Sequence, residues 1–208
     1  MTPPPADATA PVPLTRTRIL DAGHSLLLTL GLARATTKEI ARAANCSEAA
    51  LYKHFRSKEE LFVAVLRERL PALNPLLEQL TAAPGERTVE QSLTEIARQA
   101  LLFYRQSFPI AASLYAEPRL RRRHQEAMRE LGTGPHVPIE SLQAYLRAEQ
   151  AAGRVRADAD PHAAAALLLG ACAQRAFAYD ADGGAEPPQS TEDFAAGLAR
   201  TLLAGIGV

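Results

Sequence analysis

The chain has 208 residues, and its 23 lysines and arginines are balanced by 23 aspartates and glutamates, so its net charge is zero. This balance argues against a protein covered with basic residues for general nucleic-acid binding. The two cysteines, Cys46 and Cys172, have no metal-type spacing and indicate neither a disulfide scaffold nor a zinc site. We find no transmembrane run and no signal peptide, so we expect a cytoplasmic protein, and no cofactor is indicated.

The charges are unevenly distributed along the chain. Residues 1–13 are rich in proline and alanine and carry one charged side chain, Asp7, so we expect a disordered arm there. Between Leu14 and Leu70 there are ten lysines and arginines against six acidic residues, a local charge of +4 that leaves −4 for the rest of the chain. A basic surplus at one end suits contact with an anionic partner at that end.

The window from residue 36 to 62 contains the signals of two short helices and the start of a third. Thr36 is followed three residues later by Glu39, the spacing of a capping box, in which each side chain satisfies a backbone N–H of the other residue. Asn45 follows the apolar positions of this first helix, and asparagine tolerates the left-handed backbone that ends many helices. We therefore expect a short helix that begins at Thr36 and stops at Asn45.

A second short helix is predicted from Ser47, its N-cap, to about Phe55. Ser57 and Glu60 repeat the capping-box spacing and predict the start of a third helix. Two short helices joined by a tight turn form a helix-turn-helix, which places its second helix in the major groove of DNA. The window therefore indicates a DNA-binding protein.

The exposed side of this motif offers the N–H and O–H donors that phosphate oxygens need. Lys53 can reach a phosphate or the O6 and N7 atoms of guanine, and the methyl groups of Ala49 and Ala50 can contact a thymine methyl. The candidate DNA contacts are Thr36, Thr37, Ser47, Glu48, Ala49, Ala50, Tyr52, Lys53, His54 and Lys58.

Three of these candidates have a second interpretation. Glu48 can accept a hydrogen bond from a cytosine amino group, or it can be a first-turn carboxylate that the helix dipole favours. Tyr52 can pack partly against the third helix instead of reaching DNA. His54 can be merely solvated.

The window resembles the DNA-binding domain of the TetR family of bacterial transcriptional regulators, over about residues 15–70. The resemblance rests on Gly31, on the helix start from Thr36 to Ala41, and on the runs Leu51–Phe55 and Ser57–Leu61. It implies a homodimeric regulator, a repressor in the first instance, that binds a near-palindromic operator and is released by a small-molecule effector. It also implies a division into a helix-turn-helix domain at residues 14–58 and a helical effector-binding and dimerisation domain at 59–208.

The window departs from the family pattern at three positions. Asn45 and Cys46 stand where the family commonly has Gly and Val, and Glu48 stands where a basic or small residue is frequent. Asparagine still serves the turn and cysteine can still serve as a small hydrophobe, so the fold argument is unaffected. The operator sequence is left open.

Beyond residue 70 the pattern stays helical, with proline and glycine as punctuation and no strand-type alternation. The third helix is expected to continue past Pro71, with a kink, to about Leu80. Further helices are predicted over about residues 88–107, 110–116 (started by Pro109), 118–132, 139–152, 160–179 and 191–203. The prediction is an all-α protein of about nine helices, with an N-terminal three-helix domain and a C-terminal helical bundle.

The last two predicted helices are apolar on more than one face, so each must be covered by more than one neighbour. In TetR-like proteins the corresponding pair forms a four-helix bundle with the same pair of a second subunit. A dimer also places two recognition helices one DNA turn apart. The alternative is that both helices belong to the core of a monomer.

The middle helices are where a regulator would bind an effector, in an apolar pocket with a few polar groups. Arg175 lies in an otherwise apolar helix, where its charge needs either an anionic ligand or a carboxylate across the dimer. The run of arginines from 119 to 123 fits a solvated face or an acidic partner, and Cys46 fits a buried thiol better than a redox switch. The candidate effector contacts are Arg98, Tyr104, Arg105, Phe108, Tyr115, His136, Gln174, Arg175 and Phe177.

Other function classes have less support. The chain has no phosphate-binding glycine loop, no metal-ligand cluster and no nucleophile motif, so we do not expect an enzyme. The stronger alternative is a helical protein-interaction module, or a ligand-independent regulator, that has kept the scaffold. The donors Tyr52, Lys53, His54 and Lys58 favour DNA, since an acidic or apolar face would have favoured a protein partner.

Overall fold

A computed structural model describes residues 15–70, 73–83, 85–115, 118–179 and 186–206, without the side chains of residues 32, 33, 113–115 and 120. The described residues form ten α-helices and no strand, which confirms the all-α prediction. The predicted disordered arm lies outside the described residues. The helices are α1 (Thr15–Arg34), α2 (Thr37–Ala43), α3 (Glu48–Tyr52), α4 (Lys58–Glu68), α5 (Leu73–Ala82), α6 (Val89–Tyr115), α7 (Pro118–Glu130), α8 (Val137–Ala151), α9 (Pro161–Tyr179) and α10 (Thr191–Ile206).

The N-terminal helices α1 to α4, which we call the head, pack around one hydrophobic cluster. Ile110, a residue of α6 that is fully buried, belongs to the same cluster. The domain boundary expected between residues 58 and 59 therefore crosses packed side chains of α4, and it stays a prediction. The other large members of the cluster are Ile19, Leu20, Leu27, Ile40, Leu51, Phe55, Leu61, Phe62 and Val65.

Helices α5, α6, α8, α9 and α10 form a second cluster that we call the body, together with Val155 from the segment between α8 and α9. Helix α7 packs on α4 of the head and on α6. The N-terminal half of α6 supplies Leu93, Ile96 and Leu101 to the body, and its C-terminal part supplies Ile110 to the head. One helix thus connects the two cores.

Two helix boundaries near prolines differ from the sequence prediction. The helix expected to continue through Pro71 is two helices, since α4 ends at Glu68 and α5 begins at Leu73. Proline lacks the N–H that the helix ladder needs and disfavours helical backbone at the residue before it. The break expected at Pro109, however, is wrong, because α6 runs through this proline without ending.

The tolerance of α6 for Pro109 has a physical basis in packing. A proline inside a helix costs about 3 kcal/mol, because one hydrogen bond is lost and the ring crowds the preceding turn. Burial of an isoleucine contributes about 1.5–3 kcal/mol, and Ile110 directly follows the proline in the head cluster. Side chains packed in the body before Pro109 and in the head after it keep α6 helical at a point where the local preference alone would end the helix.

The described helices include none that is both long enough and apolar enough to span a bilayer.

The α3 helix is shorter than expected, since it ends at Tyr52 and not near Phe55. Gly31 has a φ of 74° inside α1, a backbone conformation that residues other than glycine rarely adopt. The chain therefore bends at the end of α1, just before α2 begins.

Candidate nucleic-acid interface

The start of α2 is fixed by the predicted capping box. The Thr36 hydroxyl oxygen accepts a hydrogen bond from the Glu39 backbone N–H at 3.2 Å, and the Thr36 N–H donates to Glu39 Oε2 at 3.0 Å. The Thr36 hydroxyl also donates to Glu39 Oε2, at 2.9 Å. The two bonds to the carboxylate, first that of the Thr36 backbone N–H and then that of the hydroxyl, lower the pKa of the Glu39 carboxyl below its ordinary value. The capping box is confirmed by both of its bonds.

The turn between α2 and α3 is also as predicted. Asn45 has a φ of 52°, in the left-handed region, and the Cys46 N–H donates to the carbonyl of Ala41 at 2.9 Å. Ser47 then caps α3 by accepting from the Ala50 N–H at 3.1 Å. With Leu51 fully buried in the head, α3 is held in one orientation.

The third cap is only half of the predicted capping box. The Ser57 hydroxyl accepts from the Glu60 N–H at 3.1 Å, as expected. The Glu60 carboxylate, however, accepts from the N–H of Arg56 at 2.8 Å and from the Arg56 guanidinium, and not from the N–H of Ser57. The ion pair with Arg56 draws the carboxylate one residue towards the N-terminus. Beside this cap, the Lys58 ammonium lies 5.1 Å from the ring centre of Phe62.

Three interface side chains are joined by hydrogen bonds across α2 and α3. The Thr37 hydroxyl donates to Glu48 Oε1 at 2.6 Å, and the Tyr52 hydroxyl is 3.5 Å from the Thr37 oxygen, with the tyrosine as donor. We call Tyr52, Thr37 and Glu48 the hydroxyl–carboxylate chain. The Tyr52 side chain is 48% exposed and its hydroxyl turns towards α2, so it is not packed away against α4.

The outward face of the motif is formed by α3 and the turn after it. Glu48, Ala49, Tyr52, Lys53 and His54 are exposed, and Ala50 is half-buried. Lys53 and His54 lie in the turn that follows α3 and not within the helix. The prediction that Ala49, Tyr52, Lys53 and His54 lie away from the core is therefore confirmed, and their contact with DNA stays a prediction.

An open groove of about 430 Å³ runs beside this face. Lys38 and Arg42, both exposed and one helical turn apart, were not among the sequence candidates. The sequence pattern does indicate Lys38 and Arg42, because Ile40 and Ala41 point to the core and leave positions 38 and 42 on the outer face of α2. The groove is lined by Lys38, Ala41, Arg42, Asn45, Cys46 and Glu48.

The candidate effector residues are not gathered into one site. Arg98 is paired with Glu95 of its own helix, with the Nη2–Oε1 distance 2.7 Å. Burial raises the pKa of the Tyr104 hydroxyl to about 12. Arg105, His136 and Gln174 are exposed, and the side chain of Tyr115 lies outside the described residues.

An aromatic row connects α6 to α9. The ring centres of Tyr104 and Phe108 are 5.9 Å apart, and those of Phe108 and Phe177 are 6.2 Å apart. Phe103 contacts Tyr104 edge-on at 5.3 Å. The row runs from the interior at Tyr104 to the surface at Phe177, whose side chain is 70% exposed.

Arg175 has partners within its own chain. It is 4% exposed, its Nη2 donates to the carbonyl oxygen of Gln189 at 2.5 Å, and its guanidinium lies 4.7 Å from the ring centre of Phe194. No ion pair between Arg175 and a carboxylate is found among the described residues. Arg175 therefore fastens the segment before α10 onto α9, while a carboxylate from a second subunit stays untested.

The cysteines lie in different environments. Cys172 is fully buried, its Sγ donates to the carbonyl of Ala97 at 3.6 Å, and burial raises its pKa to about 12. Cys46 is half-buried at the edge of the groove. Within the described ranges no three His, Cys, Asp or Glu side chains lie close enough together to hold a metal ion.

The outer side of α9 carries a stripe of exposed residues that is almost entirely apolar. The stripe has alternating spacings of four and three residues, the pattern of a helix seam that packs against another helix. Leu167 is 65% exposed, and a side chain at Gly170 would meet nothing within 4 Å. We call this set the α9 stripe; its members are Ala163, Leu167, Gly170, Gln174 and Phe177.

Family comparisons match both parts of the chain. Residues 19–65 match the model of bacterial regulatory proteins of the tetR family. Residues 91–204, more than half of the chain, match the C-terminal domain of AefR-like transcriptional repressors. The two matches fall on the head and on the body, in that order.

Two relatives match this chain over part of its length. The HTH-type transcriptional regulator YvkB of Bacillus subtilis is 43% identical over 65 residues, 31% of this chain and 34% of that protein. The HTH-type transcriptional repressor KstR2 of Rhodococcus jostii is 39% identical over 83 residues, 40% of this chain and 41% of that protein. The matched stretch thus spans less than half the length of either relative.

Solved structures resemble the whole chain in fold. A protein described as a TetR-family regulator from Mesorhizobium loti has a TM-score of 0.70 at 22% identity, over 93% of this chain and 97% of its own. SmeT in complex with triclosan has a TM-score of 0.66 at 20% identity, over 93% and 92%. FadR of Bacillus subtilis in complex with stearoyl-CoA has a TM-score of 0.65 at 15% identity, over 91% and 98%. With the family models and the helix-turn-helix geometry, these findings show that the chain belongs to the TetR family of bacterial transcriptional regulators.

Proposed function

We propose that the chain is a homodimeric transcriptional repressor that binds a near-palindromic operator and is released by a small-molecule effector in the cytoplasm. The observation that carries the proposal is the outward face of α3 and the turn after it. Tyr52 at the end of α3 and Lys53 and His54 in the turn after it are exposed there, and the cap and the buried Leu51 fix the orientation of the helix. A rigid helix that presents hydrogen-bond donors is what reading of the major groove requires.

Each candidate contact keeps a chemical role in this proposal. Tyr52, His54 and Lys58 donate to phosphates, Lys53 reaches a phosphate or guanine, and the methyls of Ala49 and Ala50 meet thymine. The remaining candidates, Thr36, Thr37, Ser47 and Glu48, lie at the starts of the two short helices. The Thr37 hydroxyl proton is directed to Glu48, so this residue acts through Glu48 more than on phosphate.

The α9 stripe supports the homodimer. An apolar stripe with helix-seam spacing is matched by itself when two copies are related by a two-fold axis. Gly170 in its middle lets two helices approach closely, and the leucine and phenylalanine on either side would be covered. We therefore assign Gln174 and Phe177, first considered as effector contacts, to the interface between subunits.

The α6 part of the aromatic row, Tyr104 and Phe108, is the part of the body that best suits an effector. Tyr104 and Phe108 lie on α6, directly before Pro109 and Ile110. A ligand that displaces these rings would move α6, whose next residues are held in the head cluster. Such a shift changes the spacing of the two heads, which is how we expect release to occur. The SmeT and FadR structures hold triclosan and stearoyl-CoA, and the apolar rings of the first and the acyl chain of the second are the chemical class that we consider here.

Selection of bound fragments from the source genome with the purified chain tests the proposal. We expect enrichment of one sequence with two-fold symmetry, and binding that weakens steeply with salt, because phosphate contacts release counterions. Enrichment of no sequence would contradict the proposal and favour the interaction-module alternative. Enrichment of a site without symmetry would contradict the homodimer part alone.

A further inference from the structure

We propose that Glu48 is a specificity-determining residue that selects a cytosine at one position of each operator half-site. This inference rests on the proposed DNA-binding function and adds the identity of a base. It starts from the hydroxyl–carboxylate chain, in which a side chain of α2 holds a side chain of α3 in place.

The first step concerns the orientation of Glu48. The 2.6 Å hydrogen bond from the Thr37 hydroxyl fixes one carboxylate oxygen, although the side chain is exposed and would otherwise sample many rotamers. No described residue donates to its second oxygen, Oε2. An exposed carboxylate that is held in one direction and keeps an acceptor atom available can make a directed contact with a partner.

The second step concerns the charges around Glu48. Lys38 and Arg42 line the same groove, on the side of α2, and suit the phosphate backbone. A carboxylate beside phosphates is repelled, so Glu48 can be accommodated at the interface only where it meets a hydrogen-bond donor. The groove thus has two cationic side chains that suit the DNA phosphate backbone and one carboxylate that suits the edge of a base.

The third step is the chemistry of base edges in the major groove. Guanine presents two acceptors, and thymine presents an acceptor and a methyl group, so both oppose a carboxylate. Cytosine presents the N4 amino group as a donor. Adenine pairs its amino group with the N7 acceptor, a pattern that suits an amide side chain better than a carboxylate. A carboxylate at this position therefore favours cytosine.

The test is a comparison of base preferences on the operator selected by the wild-type chain. We expect replacement of the cytosine by thymine at this position to weaken wild-type binding by about 5- to 150-fold per half-site. In Glu48→Ala the same replacement should change binding by less than about 2-fold. In Glu48→Gln the preferred base should shift to adenine, because an amide pairs with its N6 and N7 atoms.

Two further variants separate the parts of the inference. Glu140→Ala removes an exposed carboxylate of α8 and should keep the wild-type preference. Thr37→Val keeps Glu48 but removes its donor, and its discrimination should lie between those of the wild type and Glu48→Ala. Each ratio compares two duplexes with one protein, so a change in the folded fraction cancels.

The outcomes distinguish this inference from the proposed function. If the wild-type chain selects no sequence, the proposed function fails and this inference with it. If it selects an operator and Glu48→Ala keeps the same preferences at every position, the assignment of Glu48 is wrong while DNA binding stands. If Glu48→Ala loses discrimination but Thr37→Val does not, the positioning role of Thr37 is wrong.

Discussion

At the scale of single residues, the head is defined by caps and by one left-handed turn. Thr36, Ser47 and Ser57 each accept a backbone N–H three residues on, and Asn45 makes the turn between α2 and α3. These contacts are local, so the sequence alone was sufficient to predict them. They fix the helix starts to which the candidate DNA contacts belong.

The capping box of Thr36 and Glu39 makes the stability of the head depend on pH. Thr36→Ala should lower the free energy of unfolding by about 1 kcal/mol near neutral pH. The folded-state pKa of Glu39 is lowered, so its contribution is present above the ordinary value of 4.5 and is lost as the pH falls through the folded-state value. The difference between Thr36→Ala and the wild type should therefore shrink on acidification, as measured by urea unfolding.

The matched control for this experiment is Ser47→Ala. Ser47 caps α3 with a similar bond to Ala50, but no carboxylate stands at the third position of that helix. The loss in free energy of unfolding caused by Ser47→Ala should stay nearly constant over the same pH range. An equal pH dependence in the two variants would show that Glu39 is not the cause.

At the scale of helices, α6 is the element that joins the two cores. Its N-terminal half packs in the body, the aromatic row follows, and Ile110 lies in the head cluster one residue after Pro109. We propose that this helix transmits a displacement in the body to the head. This role depends on the burial of Ile110 and not on the helix length.

Truncation of Ile110 tests whether this residue anchors α6 in the head. Ile110→Ala should destabilise the chain by about 2–5 kcal/mol, because a fully buried side chain is removed and a cavity is left in the head. Leu28→Ala, at a leucine of α1 that is 43% exposed, is the control and should cost less than about 1 kcal/mol. Similar midpoints of urea unfolding for the two variants would contradict the role assigned to Ile110.

The same helix shows where prediction from sequence stops. Pro71 and Pro109 have the same local preference, yet α4 ends before the first and α6 continues through the second. The difference comes from Ile110, which is buried in the head cluster, where α6 packs on α1, far away in sequence. For the same reason the sequence could place Glu48 and Thr37 on the interface but not show that they are bonded, and it could not name Gln189 and Phe194 as partners of Arg175.

At the scale of the whole molecule, the proposed reading of a near-palindromic operator requires two copies of the chain. Each subunit presents one α3, and a pair is needed to read two half-sites one DNA turn apart. The α9 stripe is the apolar surface that we propose for the contact. Its almost continuous exposure in one chain is unusual for a monomer, because large side chains such as Leu167 and Phe177 remain uncovered.

A charge placed in the middle of the stripe should separate the subunits. Gly170→Glu fills open space within one chain and improves helix propensity, but it places a carboxylate in the apolar seam. Light scattering should give about twice 22.4 kDa for the wild type and a single-chain mass for this variant. Ala144→Glu, at an exposed site of α8, should remain a dimer, and a Gly170→Glu dimer would contradict the assigned interface.

The most direct test of the central claim, that the face of α3 and its following turn reads DNA, is the salt-dependent affinity of three variants for the selected operator. Tyr52→Ala and Lys53→Ala should each weaken binding by about 5- to 150-fold, and loss of a phosphate contact by Lys53 should reduce the slope of log affinity against log salt by about 1. Arg147→Ala removes an exposed positive charge from α8 and should change neither the affinity for the operator nor the salt slope. If Tyr52→Ala and Lys53→Ala both bind the operator as the wild type does, with the same salt dependence, this face does not read DNA.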